Sequence, residues 1–349
     1  MTVSHPRVIL GKRGEKSPGT SPFWEEFRRR SAARGRRILL PEATDPRVLS
    51  AAVFLKREGL ARPVLVGDPA AVRVAAAGGG HPLDGIEILD STEAAPRAAF
   101  AQALFERRKA KGTTPEEAAR LVEDPLYWSA MALAAGRADG VVGGAVRTTA
   151  DTVRAGLAGL GLAPGADIVF GAFFMECPHA AGGPRRLLLA DAAVSPHPSP
   201  RALGAVGVAA AEFFKRHTGE TPRVAYLSFS TLGSAEDDSV TAVRQAVAHA
   251  KKKAPALSVD GEWQADAALV DHIARQKGVP DGPAAGSANV LIFPDLNAGN
   301  IGYKLVQHLG GARAVGPFLV GLAKPMADLS RGCTDEDIVD TVALTSLLD

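Results

Sequence analysis

The stretch LSRGCTDEDI, residues 329–338, concentrates side chains that can carry acid–base chemistry. Ser330 supplies a hydroxyl and Arg331 a cation, and a thiol and three carboxylates follow before the pattern becomes helical. Thr334 and Asp337 match a capping box, in which a hydroxyl and a carboxylate bond each other's backbone amides at a helix start. A cap needs neither a second hydroxyl nor a cation, so it leaves Ser330 and Arg331 unexplained.

A second candidate is VVGGAVRTTADTVRAG, residues 141–156, where an apolar run leads into a helical pattern. The hydroxyls of Thr148 and Thr149, the guanidinium of Arg154 and the backbone amides of a helix start together suit a phosphate. The Walker pattern G-x-x-x-x-G-K-[ST] is absent, so this is not a P-loop. The competing interpretation is a helix capped by threonine, with glycine for close packing.

Several common kinds of site are not supported. The two cysteines, Cys177 and Cys333, are far apart and lack C-x-x-C spacing, so neither a disulfide framework nor a thiolate zinc site is indicated. The eight histidines are scattered without zinc-binding spacing, and no G-x-S-x-G elbow occurs. LLPEATDPR stands where a G-x-G-x-x-G turn would follow the first strand, which argues against a common dinucleotide enzyme.

Length and composition are those of an ordinary globular protein. The 349 residues are 46% hydrophobic, enough for a sizeable core, and the length favours two domains over one. A formal charge of +2 gives no reason to expect a nucleic-acid or membrane partner. Without an N-terminal apolar h-region or an apolar run long enough to span a bilayer, the chain is predicted to be soluble, unexported and cytoplasmic.

Short apolar runs alternate with helical patterns from Ile38 onward, which predicts an α/β fold. ILLPE, DPRVLSAAVFLKREG and PVLVG predict a strand, a helix and a strand, forming a parallel βαβ unit. Further strands are expected at DGVVGGA, DIVFGAFFM, RLLLAD, RVAYLS and NVLIFPDL, with helices at 201–217 and 237–253. Ligands in such sheets bind beyond the carboxyl ends of strands, so the loops after these runs should hold the site.

Three other segments have weaker patterns. Residues 1–20 lack periodicity and predict a loosely ordered extension. Residues 24–37 predict a short helix with early acids and late arginines, whose charges indicate a solvated face rather than a nucleic-acid patch. The glycine-rich stretch 297–332, with its two lysines, Lys304 and Lys324, could approach a ligand closely, but its composition favours tight turns.

Five stretches taken together resemble the phosphate acetyltransferases of the phosphate acetyl/butyryltransferase family. They are LLPEATDPRVLSAA, DPLYWSAMALAAGRADGVVGGAVRTTADTVR, DGEWQADAALV, IFPDLNAGNIGYKLVQHLGGARAVGP and DLSRGCTDEDI. The similarity runs from about residue 24 to the last residue, and so long a series of ordered motifs is far more specific than any one of them.

The resemblance implies an enzyme that interconverts acetyl-CoA and phosphate with coenzyme A and acetyl phosphate, without a cofactor or metal. It implies two α/β domains with an interdomain cleft, as in isocitrate/isopropylmalate dehydrogenases, and a homodimer. The first domain would comprise residues 21–164 plus 321–349, and the second residues 165–320.

Site residues carry over from the family by position. Asp337 would be the general base toward the coenzyme A thiol, and Ser330 and Arg331 would stabilise the reacting centre. Arg154 and Arg108, the latter in FERRKAKG, would hold the phosphate.

The chain departs from the family pattern beside the expected phosphate loop. Gly143 and Arg147 stand where relatives usually have serine and histidine, so acyl preference or affinity is open to a shift. One alternative is therefore a phosphate propionyl- or butyryltransferase, although the full LSRGCTDEDI ending favours acetyl. Another is a non-catalytic sensor of coenzyme A or acyl phosphate, against which the retained Ser330, Arg331 and Asp337 argue.

The proton transfer expected of Asp337 is uphill between unperturbed groups. A free thiol titrates near 8.5 and a free aspartate near 3.9, a gap of roughly 6 kcal/mol. We therefore expect the proton to move as sulfur attacks carbon, in a ternary complex. A rival mechanism acetylates Cys333 first, but no histidine lies near it in sequence, and the simpler interpretation is a small packing residue.

Overall fold

The computed structural model describes residues 21–178, 180 and 183–348, and the extension predicted over residues 1–20 lies outside them. The chain divides into two compact units. Unit 1 extends to Ala163 and resumes at Leu322, whereas unit 2 is the continuous stretch Pro164–Gly321. The fold class is α/β, as the alternating pattern predicts.

The helices are α1 Pro22–Arg34, α2 Pro46–Arg57, α3 Pro69–Gly79, α4 Ala94–Arg108, α5 Pro115–Val122, α6 Pro125–Ala134, α7 Thr149–Gly159, α8 Pro200–Thr218, α9 Asp238–Lys253, α10 Ala265–Leu269, α11 Asp271–Gln276, α12 Leu296–Gly310 and α13 Asp335–Thr345. The strands are β1 Arg37–Leu40, β2 Arg62–Gly67, β3 Glu87–Asp90, β4 Gly140–Gly143, β5 Phe170–Cys177, β6 Arg185–Ala190, β7 Arg223–Leu227, β8 Ser258–Trp263, β9 Val290–Ile292, β10 Arg313–Val320 and β11 Met326–Asp328.

Unit 1 contains strands in the order β3-β2-β1-β4-β11, with every neighbouring pair parallel. The predicted βαβ unit is confirmed, because β1 and β2 pair in parallel on either side of α2 in sequence. The strands of β1 and β2 are almost fully buried, which is typical of parallel sheets covered on both faces. The carboxyl ends of β1, β4 and β11 therefore lie at one edge of this sheet, where three loops meet.

Unit 2 contains strands in the order β10-β5-β6-β9-β7-β8. β6, β9, β7 and β8 are parallel neighbours, but β5 pairs antiparallel with both β6 and β10. The strands predicted at 167–175 and 186–191 are present as β5 and β6. The segment between them is too short for a crossover helix, so they pair antiparallel. Apolar side chains such as Phe173, Met175 and Trp263 form one core cluster of this unit.

The turns favoured by composition over residues 297–332 are wrong. This stretch forms most of α12, β10 and β11. Gly299 shows why a glycine lies inside α12: a Cβ there would overlap the backbone of Asp191 and Ala192, so the helix packs too closely for a side chain. Lys324 donates to the Leu133 carbonyl at 2.7 Å and closes the end of α6.

Helix α13 is held by helices α1 and α2 of unit 1. Arg28 of α1 donates to Asp340 at 2.6 Å and to Glu336 at 3.1 Å, and Asp340 is 2% exposed. Ser50 of α2 donates to Asp335 at 2.8 Å. The arginines of α1 are thus not simply a solvated face, because Arg28 anchors the helix that begins beside Asp337.

Across the described ranges, no helix combines the length and the apolar character needed to cross a membrane.

Candidate active site

Asp337 lies in the first turn of α13, directly after the loop formed by residues 329–334. The Thr334 hydroxyl accepts from the Asp337 amide at 3.1 Å, and Asp337 Oδ2 accepts from the Thr334 amide at 2.9 Å. The predicted capping box is therefore confirmed. Because Oδ2 is engaged with the backbone, Oδ1 is the oxygen suited to accept a proton.

Ser330 and Arg331 are exposed at the start of the 329–334 loop. The Ser330 carbonyl accepts from the Cys333 amide at 2.9 Å, and its hydroxyl oxygen lies 3.3 Å from the Gly332 amide. These bonds fold the loop into a tight turn and present both side chains to solvent. The structure therefore brings the hydroxyl, the guanidinium and the Asp337 carboxylate together on one loop and the helix it leads into.

Cys333 points away from solvent and is only 5% exposed. Burial raises the pKa of its thiol to about 12, although the nearby Arg47 guanidinium acts in the opposite direction. Since the thiolate is the nucleophilic form of cysteine, this thiol is poorly suited to attack an acyl group near neutral pH.

The loop of residues 144–149 connects β4 to α7. Thr148 caps α7 in a second capping box with Asp151, which agrees with the helix-cap interpretation of this threonine. The amides of residues 145, 146 and 147 donate to the buried carboxylate of Glu42 at 2.6, 2.9 and 3.0 Å. These amides were expected to face a phosphate, but they hold an internal anion. The Thr148 hydroxyl donates to Asp151 Oδ2 at 2.7 Å, so the arginines remain as phosphate donors.

The arginines predicted to bind phosphate lie on elements that pack together. Arg154 is exposed on α7 and forms an ion pair with Asp151 at 3.2 Å. Arg108 ends α4, and α4, α6 and α7 contact one another. Burial raises the pKa of Tyr127 on α6, and the positive charges of Arg154 and Arg108 both lower it, which places both guanidinium groups near this phenol.

Arg147 also lies on the 144–149 loop, but its charge is shared. Its guanidinium forms an ion pair with Asp124 at 2.8 Å, and Asp124 in turn caps α6 through the Leu126 amide at 2.9 Å. Arg147 therefore joins the loop to the start of α6, while 46% of its side chain stays exposed.

Arg47 joins the 329–334 loop to the 144–149 loop. Its guanidinium donates to the carbonyls of Arg331 at 2.7 Å and Cys333 at 3.1 Å on one side, and to the Ala145 carbonyl at 2.8 Å on the other. Asp45 holds the same guanidinium with two bonds of 3.0 and 2.8 Å. A rigid, planar fork of this kind sets the spacing between the Ser330–Asp337 group and the Thr148–Arg154 group.

Comparison with known proteins agrees with these motifs. The family model described as "Phosphate acetyl/butaryl transferase" matches residues 23–346. A phosphate acetyltransferase of Clostridium acetobutylicum is 45% identical over 311 residues, which are 89% of this chain and 93% of that protein. The chain belongs to the phosphate acetyl/butaryl transferase family.

Two further members illustrate the likeness. A phosphate acetyltransferase of Paracoccus denitrificans is 45% identical over 89% of this chain and 94% of its own length. A solved phosphotransacetylase from Streptococcus pyogenes superposes with a TM-score of 0.86 at 38% identity, covering 94% of this chain and 98% of that one.

In the present protein, one cavity adjoins the 144–149 loop within unit 1. It has a volume of about 410 Å³ and is lined by Pro41, Glu42, Thr44, Asp45, Asp124, Pro125, Leu126, Val146 and Arg147. Gly143 lies behind this wall, because a Cβ there would come within 3.0 Å of Leu126 and 3.1 Å of Pro41. Both departures from the family pattern, Gly143 and Arg147, thus affect the same cavity.

Sequence reasoning missed Glu42, Asp45 and Arg47, although they stand in the quoted LLPEATDPR segment. The available signal was their place directly after β1, at the carboxyl edge where ligands bind. Within the described ranges, no group of three or more His, Cys, Asp or Glu side chains could hold a metal ion. The expectation of a reaction without metal or cofactor stays a prediction.

Proposed function

We propose that the protein interconverts acetyl-CoA and phosphate with coenzyme A and acetyl phosphate by direct attack of the thiol in a ternary complex. The observation that carries the proposal is the bridge made by Arg47, which holds the loop leading to Asp337 beside the loop leading to Arg154. A thiol base and a phosphate-binding surface on one rigid support are what a direct transfer between the two substrates needs.

Asp337 acts as general base in this proposal. Asp337 Oδ2 accepts the Thr334 amide hydrogen, which leaves Oδ1 for the proton. A free thiol titrates near 8.5 and a free aspartate near 3.9. Prior deprotonation of the thiol is therefore unfavourable, and the proton moves to Oδ1 as the sulfur–carbon bond forms. The thiol becomes more acidic along this path, so the transfer becomes downhill near the tetrahedral stage.

Ser330 and Arg331 stabilise the negative charge that develops on the carbonyl oxygen. Both side chains are exposed at the loop start, where a substrate can reach them. Loss of one such donor typically costs about 2.7 to 4 kcal/mol of transition-state stabilisation. As the tetrahedral intermediate collapses, the carbon–oxygen bond to phosphate breaks and the phosphate leaves toward Arg154 and Arg108.

The state of Cys333 supports the direct route over a covalent acetyl-enzyme. A thiol with a pKa near 12 is almost fully protonated at neutral pH. Arg47 Nη1 lies 3.8 Å from the Cys333 sulfur and lowers the pKa of the thiol, but the effect of burial is larger and raises that pKa.

A longer acyl group is the second candidate substrate, and the cavity beside the 144–149 loop is the observation that favours testing it. The apolar part of its wall consists of Pro41, Pro125, Leu126 and Val146. Because residue 143 is glycine, no side chain there presses on Leu126 and Pro41 from behind. Apolar walls of this kind can bury additional methylene groups.

The assembly is a homodimer in this proposal. Helix α12 exposes Ile301, Leu305 and Leu309, spaced four residues apart, at 56%, 53% and 82%. Such a stripe on one helix face is typical of a surface that another chain covers. We also infer that units 1 and 2 correspond to the two expected α/β domains, that the protein is cytoplasmic, and that nucleic acid and membranes are not partners.

The test of the function is the phosphate- or arsenate-dependent loss of thioester absorbance from acetyl-CoA, run beside butyryl-CoA. We expect turnover of acetyl-CoA, and a fall of at least a hundredfold in kcat for Asp337→Asn, since loss of a general base typically costs 10²–10⁴-fold. Asparagine keeps an oxygen for the Thr334 amide. Thr334→Val is the matched control, because it removes the cap hydroxyl and leaves the carboxylate.

Three results would change this assignment. Near-normal turnover by Asp337→Asn would refute the assigned base. A higher kcat/KM for butyryl-CoA than for acetyl-CoA would move the assignment to the longer acyl group. Tight coenzyme A binding without turnover of either thioester would indicate a sensor.

A further inference from the structure

Asp328 is a buried carboxyl group that the proposed reaction does not use. It is the last residue of β11, two residues before Ser330, and its relative exposure is 0%. Among the residues that the structure describes, its Oδ2 has no hydrogen-bond partner. A buried carboxyl oxygen without a partner is costly, so its retention needs a reason beyond packing.

The surroundings of Asp328 belong to the 144–149 loop and to α7. Thr152 of α7 donates its hydroxyl to Asp328 Oδ1 at 2.6 Å. Gly144 adopts φ +101°, and a Cβ at this residue would overlap the same oxygen and the Leu329 amide. The carboxyl group therefore occupies the space that a side chain on residue 144 would take, and it sets the path of that loop.

We propose that Asp328 is a positioning residue whose carboxylate joins the 144–149 loop to the 329–334 loop and holds both in the geometry for acyl transfer. This contact of Asp328 is separate from the Arg47 bridge. Arg47 bonds the backbone of the two loops, whereas Asp328 contacts α7 through Thr152. This inference rests on the proposed function, because the two loops carry its predicted substrate and base residues.

The ionised form is the one that fits this environment. The groups facing the carboxyl are donors: the hydroxyls of Thr149 and Thr152 and the amide of Leu329. A proton on Oδ2 would meet no acceptor among the described residues. Burial nevertheless raises the pKa of Asp328 to about 7, and the negative charge of Glu42, from the segment after β1, acts in the same direction. Its charge therefore changes near neutral pH.

The experiment compares wild type with Asp328→Asn in the direction from acetyl phosphate and coenzyme A, at pH 6 to 8. Asparagine keeps an oxygen for Thr152 but cannot ionise. Dividing the two kcat/KM values at each pH removes the ionisation of the substrates, which is common to both proteins. If one ionisation near 7 governs the geometry, the ratio of wild type to Asp328→Asn falls about tenfold from pH 8 to pH 6.

Thr152→Val supplies a second readout that also serves if Asp328→Asn fails to fold. Loss of the hydroxyl donor disfavours the carboxylate, so the midpoint of the pH profile should move upward by a measurable fraction of a unit. Thr345→Val is the matched control: Thr345 is equally buried, in the last turn of α13, and donates to the Thr341 carbonyl at 2.7 Å. It should leave the midpoint unchanged.

The outcomes separate this inference from the function on which it rests. A pH-independent ratio with active wild type, or a Thr152→Val midpoint equal to that of wild type, overturns the role of Asp328 and leaves the function standing. Wild type without turnover at any pH refutes the proposed function itself.

Discussion

At the residue scale, Asp337 combines two duties in one carboxylate. Its Oδ2 closes the capping box of α13 through the Thr334 amide at 2.9 Å, and Oδ1 is left for the proposed proton transfer. The cap fixes the side-chain rotamer, which pre-organises the base without any further partner. The carboxylate and the contact that positions it therefore come from the same short segment.

Cys333→Ala tests whether the thiol takes part in the chemistry. We expect kcat to remain within about threefold of wild type, because the buried thiol is protonated near neutral pH and only small packing contacts are lost. Steady-state kinetics with both substrates varied would show intersecting lines, as a ternary complex requires. Parallel lines, or loss of activity in Cys333→Ala with an unchanged melting temperature, would instead support the covalent route.

The local part of this site was predictable and the distant part was not. The pair Thr334 and Asp337 is readable because a capping box depends on residues three positions apart. Arg47 bonds the Arg331 carbonyl across 284 positions of sequence, and Glu42 bonds the Ala145 amide across 103. No spacing rule covers such pairs, and only the meeting of strand ends at one edge hinted at them.

At the element scale, α13 depends on a buried ion pair with α1. Arg28 is 11% exposed on its side chain and Asp340 only 2%, so removing the guanidinium would break an ion pair that is held in the interior. Breaking a buried pair in this way typically costs about 3–5 kcal/mol.

Arg28→Ala should therefore lower the free energy of unfolding by about 3–5 kcal/mol, as measured by urea denaturation. Arg29→Ala is the matched control, since Arg29 is 72% exposed and pairs only across one helix turn with Glu26. That variant should stay within about 0.5 kcal/mol of wild type. Equal effects of the two substitutions would contradict a special role for the α1–α13 pair.

Elements with a clear period were predictable, and α12 shows where period and composition disagree. Its sequence LNAGNIGYKLVQHLG contains three glycines, one of them its last residue, and glycine disfavours helix by about 1 kcal/mol relative to alanine. Packing of Gly299 against the backbone of residues 191–192 outweighs this propensity. Such close contacts are invisible to a reading of local composition.

At the scale of the whole molecule, α12 is the surface that bears on assembly. Leu305→Glu combined with Leu309→Glu places two charges on the exposed apolar stripe. If this face pairs two chains, light scattering should give about twice 36.2 kDa for wild type and about 36.2 kDa for the double variant. Val74→Glu, on an isolated side chain that is 73% exposed, is the control and should not alter the mass. A monomeric wild type, or a double variant that keeps the dimer mass, would contradict the proposed interface.

Fold class followed from the alternation of apolar runs, whereas the pairing of β5 did not. A strand's direction depends on which neighbour it finds, and β5 finds β10, whose residues follow it by more than a hundred positions. Sequence pattern predicts that a strand exists, but its partner and its direction are decided by the tertiary fold.

The return of the chain to unit 1 at Leu322 has a consequence for biosynthesis. Protein synthesis proceeds from the N-terminus, so all of unit 2 is synthesised before β11 and α13. Until then β4 lacks its β11 neighbour, and Asp328, Arg331 and Asp337 are not yet made. A chain released before residue 337 would lack the proposed base, so the proposed activity requires that β11 and α13 be translated and folded.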